Sequence, residues 1–136
     1  AKLKRLVTKC DVNQADERGA TPAFVAALFE NSAALKVLVE AGCDVNKAMH
    51  NGTTPAHAAA QQGHTVALAL LIKAGCDITK AMNDGATPAY LAAEKGRAVA
   101  LELLIENGCD ITKAMNDGAT PAHIAAHEGQ TAALKI

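Results

Sequence analysis

Residues Gly75 to Ala89, GCDITKAMNDGATPA, recur letter for letter as Gly108 to Ala122, an offset of 33 residues. The same step joins Gly19, Gly52, Gly85 and Gly118, the pairs Thr21-Pro22, Thr54-Pro55, Thr87-Pro88 and Thr120-Pro121, and the cysteines Cys43, Cys76 and Cys109. A constant period of this length marks an array of like units, each of which buries its apolar face only against its neighbours. One unit and its stacking therefore decide the fold. The period divides the chain into complete units at 19–51, 52–84 and 85–117, flanked by partial ones at 1–18 and 118–136.

Within a unit, Thr before Pro reads as a helix start, because the hydroxyl accepts a free N–H and the proline sits where its missing donor is harmless. Helices are predicted at about Pro22 to Phe29, Ala33 to Ala41, Pro55 to Gln62, Thr65 to Ala74, Pro88 to Lys95 and Ala98 to Asn107, with a last one beginning near Thr131. Leu35, Leu38 and Val39 fall on one face. Val66, Leu68, Leu70, Leu71 and Ile72, matched by Val99, Leu101, Leu103, Leu104 and Ile105, are expected to form a spine turned from water. The alanine pairs 26–27, 59–60, 92–93 and 125–126 allow close approach of the helices that carry them. Gly42, Gly75 and Gly108 end the second helices in the left-handed conformation that glycine adopts without strain. No glycine precedes Cys10, so residues 1–9 are expected to fray. Glu30 stands where later units have Gly63, Gly96 and Gly129, and its turn is predicted to be the least regular.

At Thr54-Pro55-Ala56-His57, with Ala59-Ala60 behind, and at Thr120-Pro121-Ala122-His123, with Ala125-Ala126 behind, the chain resembles the ankyrin-repeat family, whose Thr-Pro-Leu-His signature recurs at this period. Phe24 and Tyr90 replace the histidine in the other two units, and alanine follows every proline where the family has leucine. The resemblance implies an all-α solenoid of stacked helix-turn-helix units joined by β-turn/hairpin fingers. It also implies hydrogen bonds between His57 and Thr54 and between His123 and Thr120, and a role in binding another protein. Only Asp16 keeps the family's finger aspartate. Met49, Met82 and Met115 take its place in the other units and are expected to stack along the fingers.

Half the residues are apolar but only Phe24, Phe29 and Tyr90 are aromatic, so the interior must be built of Ala, Leu, Ile and Val. A net charge of −1 with intermingled signs provides no basic patch for nucleic acid and no polybasic membrane segment. No apolar run approaches the roughly 20 residues that cross a bilayer. Equivalent cysteines in stacked units lie about 10 Å apart, the width of a helix, beyond the roughly 7 Å reach of a disulfide. They are predicted to be small buried hydrophobes in a reducing compartment inside the cell, cytoplasm or nucleus.

His123 and His127 share a helix face four residues apart, half of a metal site, but His123 fills the signature position and no third ligand is evident. Ser32 is the only serine, glycines are isolated, and no nucleophile has a catalytic context. No enzyme activity, cofactor or metal is expected. The positions that vary between near-identical units are instead candidates for partner contact. They are the finger tips His50, Asn51, Asn83, Asp84, Asn116 and Asp117, the first-helix ends Leu28, Phe29, Gln61, Gln62, Glu94, Lys95 and His127, and Arg97 beyond them. Phe29, where other units carry Gln62, Lys95 and Glu128, reads either as cover for the Glu30 turn or as an aromatic anchor. The leading function is a monomeric, non-catalytic protein-binding module. Two alternatives remain: head-to-tail self-assembly, since the chain opens in the back half of one unit and closes in the front half of another, or a segment of a longer protein.

Overall fold

A computed structural model describes residues 12–135 as four helix pairs linked by tight turns. The pairs are α1 (Pro22–Leu28) with α2 (Ser32–Glu40), α3 (Pro55–Gln62) with α4 (Thr65–Lys73), α5 (Pro88–Glu94) with α6 (Ala98–Glu106), and α7 (Pro121–His127) with α8 (Thr131–Leu134). Predicted helix ends agree to within a residue. The expected fraying of residues 1–9 lies outside the described residues, as does Cys10.

Each first helix opens as the Thr-Pro pairs require. Thr21, Thr54, Thr87 and Thr120 are extended and accept the N–H of Phe24, His57, Tyr90 and His123 respectively. Histidine completes the cap in two of the four: Nδ1 of His57 accepts the Thr54 N–H at 3.1 Å, and that of His123 accepts the Thr120 N–H at 3.1 Å. The second helices end as predicted, with Gly42, Gly75 and Gly108 at positive φ. The following cysteine N–H groups return to Leu38, Leu71 and Leu104 carbonyls at 3.0–3.1 Å. This wrap-around cap leaves the cysteine side chains only half-buried against the core, not fully buried as expected.

One apolar core runs the length of the stack. First helices contribute alanines with no exposure, Ala27, Ala59, Ala60 and Ala92, and second helices contribute Leu35, Leu68, Leu71 and Leu104. Small alanine side chains suit close packing of the first helices, which touch one another more extensively than the leucine-bearing second helices do. Two members of the predicted spine fall outside it. Val66 and Val99, each at the second position of its helix, are 58% and 64% exposed and line one open groove between the second helices with Ala69, Glu102 and Leu103.

The Glu30 turn is regular, contrary to expectation. Glu30 itself adopts φ 53°, next to 71°, 68° and 69° at the equivalent glycines Gly63, Gly96 and Gly129. The Asn31 N–H reaches the Ala26 carbonyl at 2.9 Å just as His64 reaches Ala59. A left-handed non-glycine residue costs about 1–2 kcal/mol, so something must hold Glu30 there. Its carboxylate accepts the Ala67 N–H of α4 at 3.2 Å and the Ser32 hydroxyl at 3.3 Å.

Candidate protein-interaction surface

The turns between helix pairs form one edge of the array. Each is closed by a pair of backbone bonds, such as Met82 N–H to Ala86 and Gly85 N–H to Met82, at 2.8 and 2.9 Å. The connections are tight turns, as the Asn, Asp and Gly of these segments predict, and no strand is assigned among the described residues. Adjacent turns are tied in line: His50, Asn83 and Asn116 donate their N–H to Arg18, Asn51 and Asp84 carbonyls at 3.0–3.1 Å. Asn83 and Asn116 add side-chain amide bonds to the His50 and Asn83 carbonyls at 3.0 and 2.9 Å. Glycine makes this approach feasible, since a Cβ on Gly85 would sit 2.6 Å from the Asn116 nitrogen.

What orders a turn whose aspartate has become methionine is also visible. In the first turn Asp16 Oδ1 accepts from Arg18 and Ala20, both at 2.9 Å. In the next three the acceptor has moved two residues on: Asn51, Asp84 and Asp117 accept from Thr53, Ala86 and Ala119 at 2.9–3.0 Å. The vacated methionines pack inward. Met49 joins Ala20, Phe24 and Ala58, while Met82 and Met115 join Tyr90 and Ile124.

The fourteen residues singled out by sequence all lie along these turns and the adjoining first-helix ends. Phe29, His50, Asn51, Gln62, Asn83, Asp84, Lys95, Arg97, Asn116, Asp117 and His127 are exposed, and Leu28, Gln61 and Glu94 are half-buried. Several also hold the stack together. Arg97 Nε donates to the Gln61 carbonyl at 3.1 Å, one helix pair back. Gln130 does the same to Glu94 at 3.2 Å, and His64 Nδ1 to Ala27 at 3.1 Å. Asn83 and Asn116 serve the ladder just described. Phe29 makes no such bond. It is 71% exposed and, among the described residues, borders an open apolar cleft with Pro22, Val25 and Leu38.

The buried signature histidine is structural. His57 Nε2–H donates to the Ala86 carbonyl at 3.0 Å, which fixes the tautomer and leaves Nδ1 to accept from Thr54. Burial holds its pKa below the ordinary imidazole value, outweighing the Ala86 bond that opposes the shift. His123 makes the same bonds to Thr120, as expected. His127 lies beside Glu128 at 3.1 Å. Among the described residues no three His, Cys, Asp or Glu side chains are placed to share a metal ion, and no helix is long and apolar enough to cross a membrane.

Stacked helix pairs, Thr-Pro caps and histidines bonded to their capping threonines are joined by one further observation: the sequence matches the family described as ankyrin repeats (3 copies) over residues 1–82 and 74–136. The chain belongs to the ankyrin-repeat family. No curated relative matches it. Ankyrin repeats typically mediate protein–protein interactions. In this ankyrin array Tyr90, at the place of a signature histidine, is buried against Met82, Met115, Ala119 and Ile124.

Proposed function

We propose that the chain is a non-catalytic module that binds another protein along its concave side, formed by the turns and the first-helix ends. The observation that carries this is the placement of variation. Gln61, Glu94 and His127, Gln62, Lys95 and Glu128, and His64, Arg97 and Gln130 differ from repeat to repeat and lie together on that edge, while the second helices differ as well, at Ala69 and Glu102 and at Lys73 and Glu106. Repeat arrays use such an extended edge for recognition, with a rigid stack behind it. Phe29 supplies the large apolar contact that anchors interfaces, and the polar residues around it supply orientation. We take the helix pairs as one array and assign it to a reducing compartment, where unbridged cysteines such as Cys43, Cys76 and Cys109 persist as thiols.

Photo-crosslinking tests the side used. A benzophenone residue at Gln62 or Lys95 should capture partner protein, and one at Glu102 on the second-helix side should not. Capture from Glu102 alone would overturn the proposal. Phe29→Ala should reduce capture while shifting Tm little, because an exposed side chain contributes within about 0.5 kcal/mol to stability. The opposite outcome would make Phe29 a packing residue.

A further inference from the structure

Asparagine precedes glycine twice, at Asn51-Gly52 and Asn107-Gly108. An asparagine so placed can lose its amide, because glycine has no side chain to shield the main-chain nitrogen that attacks the side-chain carbonyl carbon. Both asparagines are exposed. The two glycine N–H groups are restrained alike, Gly52 to the Met49 carbonyl at 2.9 Å and Gly108 to that of Ile105 at 3.0 Å. The side-chain amides differ. Asn107, which ends α6, turns its amide nitrogen back to the Leu103 carbonyl at 2.8 Å. Asn51 is held by its oxygen instead: Oδ1 accepts the Thr53 N–H at 3.0 Å and the Thr53 hydroxyl at 2.6 Å. Its amide nitrogen, the leaving group, has no hydrogen-bond partner among the described residues.

Two donors on one oxygen stabilise negative charge there, as an oxyanion hole does. The same grip recurs in this chain on carboxylates. Asp77 Oδ1 accepts the hydroxyl and N–H of Thr79 at 2.6 and 2.9 Å, and Asp110 Oδ1 accepts those of Thr112 at the same distances. The hydroxyl bond first, and the N–H bond after it, hold both carboxyls below their ordinary value. At Asn51 the grip falls on an amide, where the charge it favours develops only as Gly52 attacks. Nor can position 52 carry a shielding side chain, since a Cβ there would lie 2.9 Å from the Asn83 nitrogen.

We propose that Asn51 is a deamidation site of the folded chain, activated by Thr53, whose main product is an aspartate that the turn accommodates unchanged. The Gly52 nitrogen gives its proton to water as it bonds to Asn51 Cγ, the Cγ–Nδ2 bond breaks, and ammonia leaves behind a cyclic imide. Water then opens the ring. Attack at Cγ restores the main chain and yields aspartate, whereas attack at the main-chain carbonyl carbon yields isoaspartate and lengthens the main chain by a methylene. Aspartate fits, since Asp84 and Asp117 accept the equivalent N–H in their own turns at 3.0 and 2.9 Å. Isoaspartate displaces the Asn51 main-chain carbonyl, which holds the Asn83 N–H at 3.0 Å, and so parts two adjacent turns. The aspartyl form gains a negative charge on the turn edge, where Asp84 and Asp117 already carry theirs.

The test ages the full chain at pH 8, with peptide-resolved mass spectrometry following amide loss at Asn51 and Asn107 and chromatography separating aspartyl from isoaspartyl product. In the native chain Asn51 should convert about tenfold faster than Asn107 or more, with aspartate the larger product. Thr53→Ala, which installs the residue that Ala86 and Ala119 supply in the later turns, should slow Asn51 about tenfold and leave Asn107 unchanged. Thr53→Ser keeps a hydroxyl and should retain the wild-type rate. In urea, where neither amide is held, the two asparagines should convert at like rates. Asn51→Asp should melt with the wild type. The assignment is overturned if native Asn51 is no faster than Asn107, if Thr53→Ala leaves its rate unchanged, if Thr53→Ser slows it as far as Thr53→Ala, or if the native ratio persists in urea. A lower Tm for Asn51→Asp, or isoaspartate as the larger native product, would overturn the fit of the aspartate.

Discussion

The Glu30 carboxylate accepts the N–H of Ala67, 37 residues on and in the next helix pair, at 3.2 Å. Ala67 is the third residue of α4, a helix with no side-chain cap of its own. Its first N–H groups point at an acceptor supplied by the preceding repeat, where a negative charge also suits the positive end of the helix.

Two substitutions separate strain from capping. Glu30→Ala keeps the left-handed cost and loses the cap, so it should destabilise by about 1–2 kcal/mol. Glu30→Gly loses the same cap but relieves about 1 kcal/mol of backbone strain, leaving stability close to wild type. Denaturant midpoints of the two variants make the comparison. Equal losses would mean that Glu30 is not strained.

His57 should give the array a pH dependence. Its folded pKa is lowered by burial, so below about 6.5, the ordinary imidazole value, the unfolded chain takes up a proton that the folded chain resists. Stability is therefore fully present above that pH and falls as pH drops through the window beneath it. His57→Gln should cost about 1–3 kcal/mol at pH 7.5 through its lost bonds. It should also show a smaller fall in Tm between pH 7.5 and 5.5 than the wild type. Parallel falls would show that His57 titrates alike in both states.

Cys76 should be a slow thiol. Burial, with the charge of Asp77 behind it, pushes its pKa up to about 11 from an ordinary 9.0. Only the thiolate is alkylated, so at pH 8 iodoacetamide should modify native Cys76 about 100-fold more slowly than the same residue in the urea-unfolded chain. Peptide-resolved mass spectrometry follows the rate. Equal rates would contradict the burial.

Much of this fold is legible in the letters. Thr-Pro pairs and isolated glycines located the helices to within a residue, because caps and left-handed ends depend on local chemistry that one residue can supply. The misreadings share a different cause, the direction in which a side chain points. Val66 and Val99 are as apolar as their neighbours but face water, which composition alone does not reveal. The brace from Arg97 Nε to the Gln61 carbonyl was likewise out of sight, although the residue is exposed at a varying position as its letters suggest. Glu30 broke the glycine pattern, and only the distant Ala67 explains why the turn survives. The shift of the turn acceptor from Asp16 to Asn51, Asp84 and Asp117 was hidden because two different residues satisfy the same N–H.

The line of turn-to-turn bonds has a consequence for how the chain can change in length. His50 to Arg18, Asn83 to Asn51 and Asn116 to Asp84 are one bond written three times. Each donor needs only the next copy of an acceptor that every period provides. Excising or inserting one whole period would thus rejoin matching halves and leave no orphaned group at the seam, whereas a change of any other size would strand a donor on each side. The molecule is in this sense modular in its bonding as well as its letters, free to grow or shrink in whole steps.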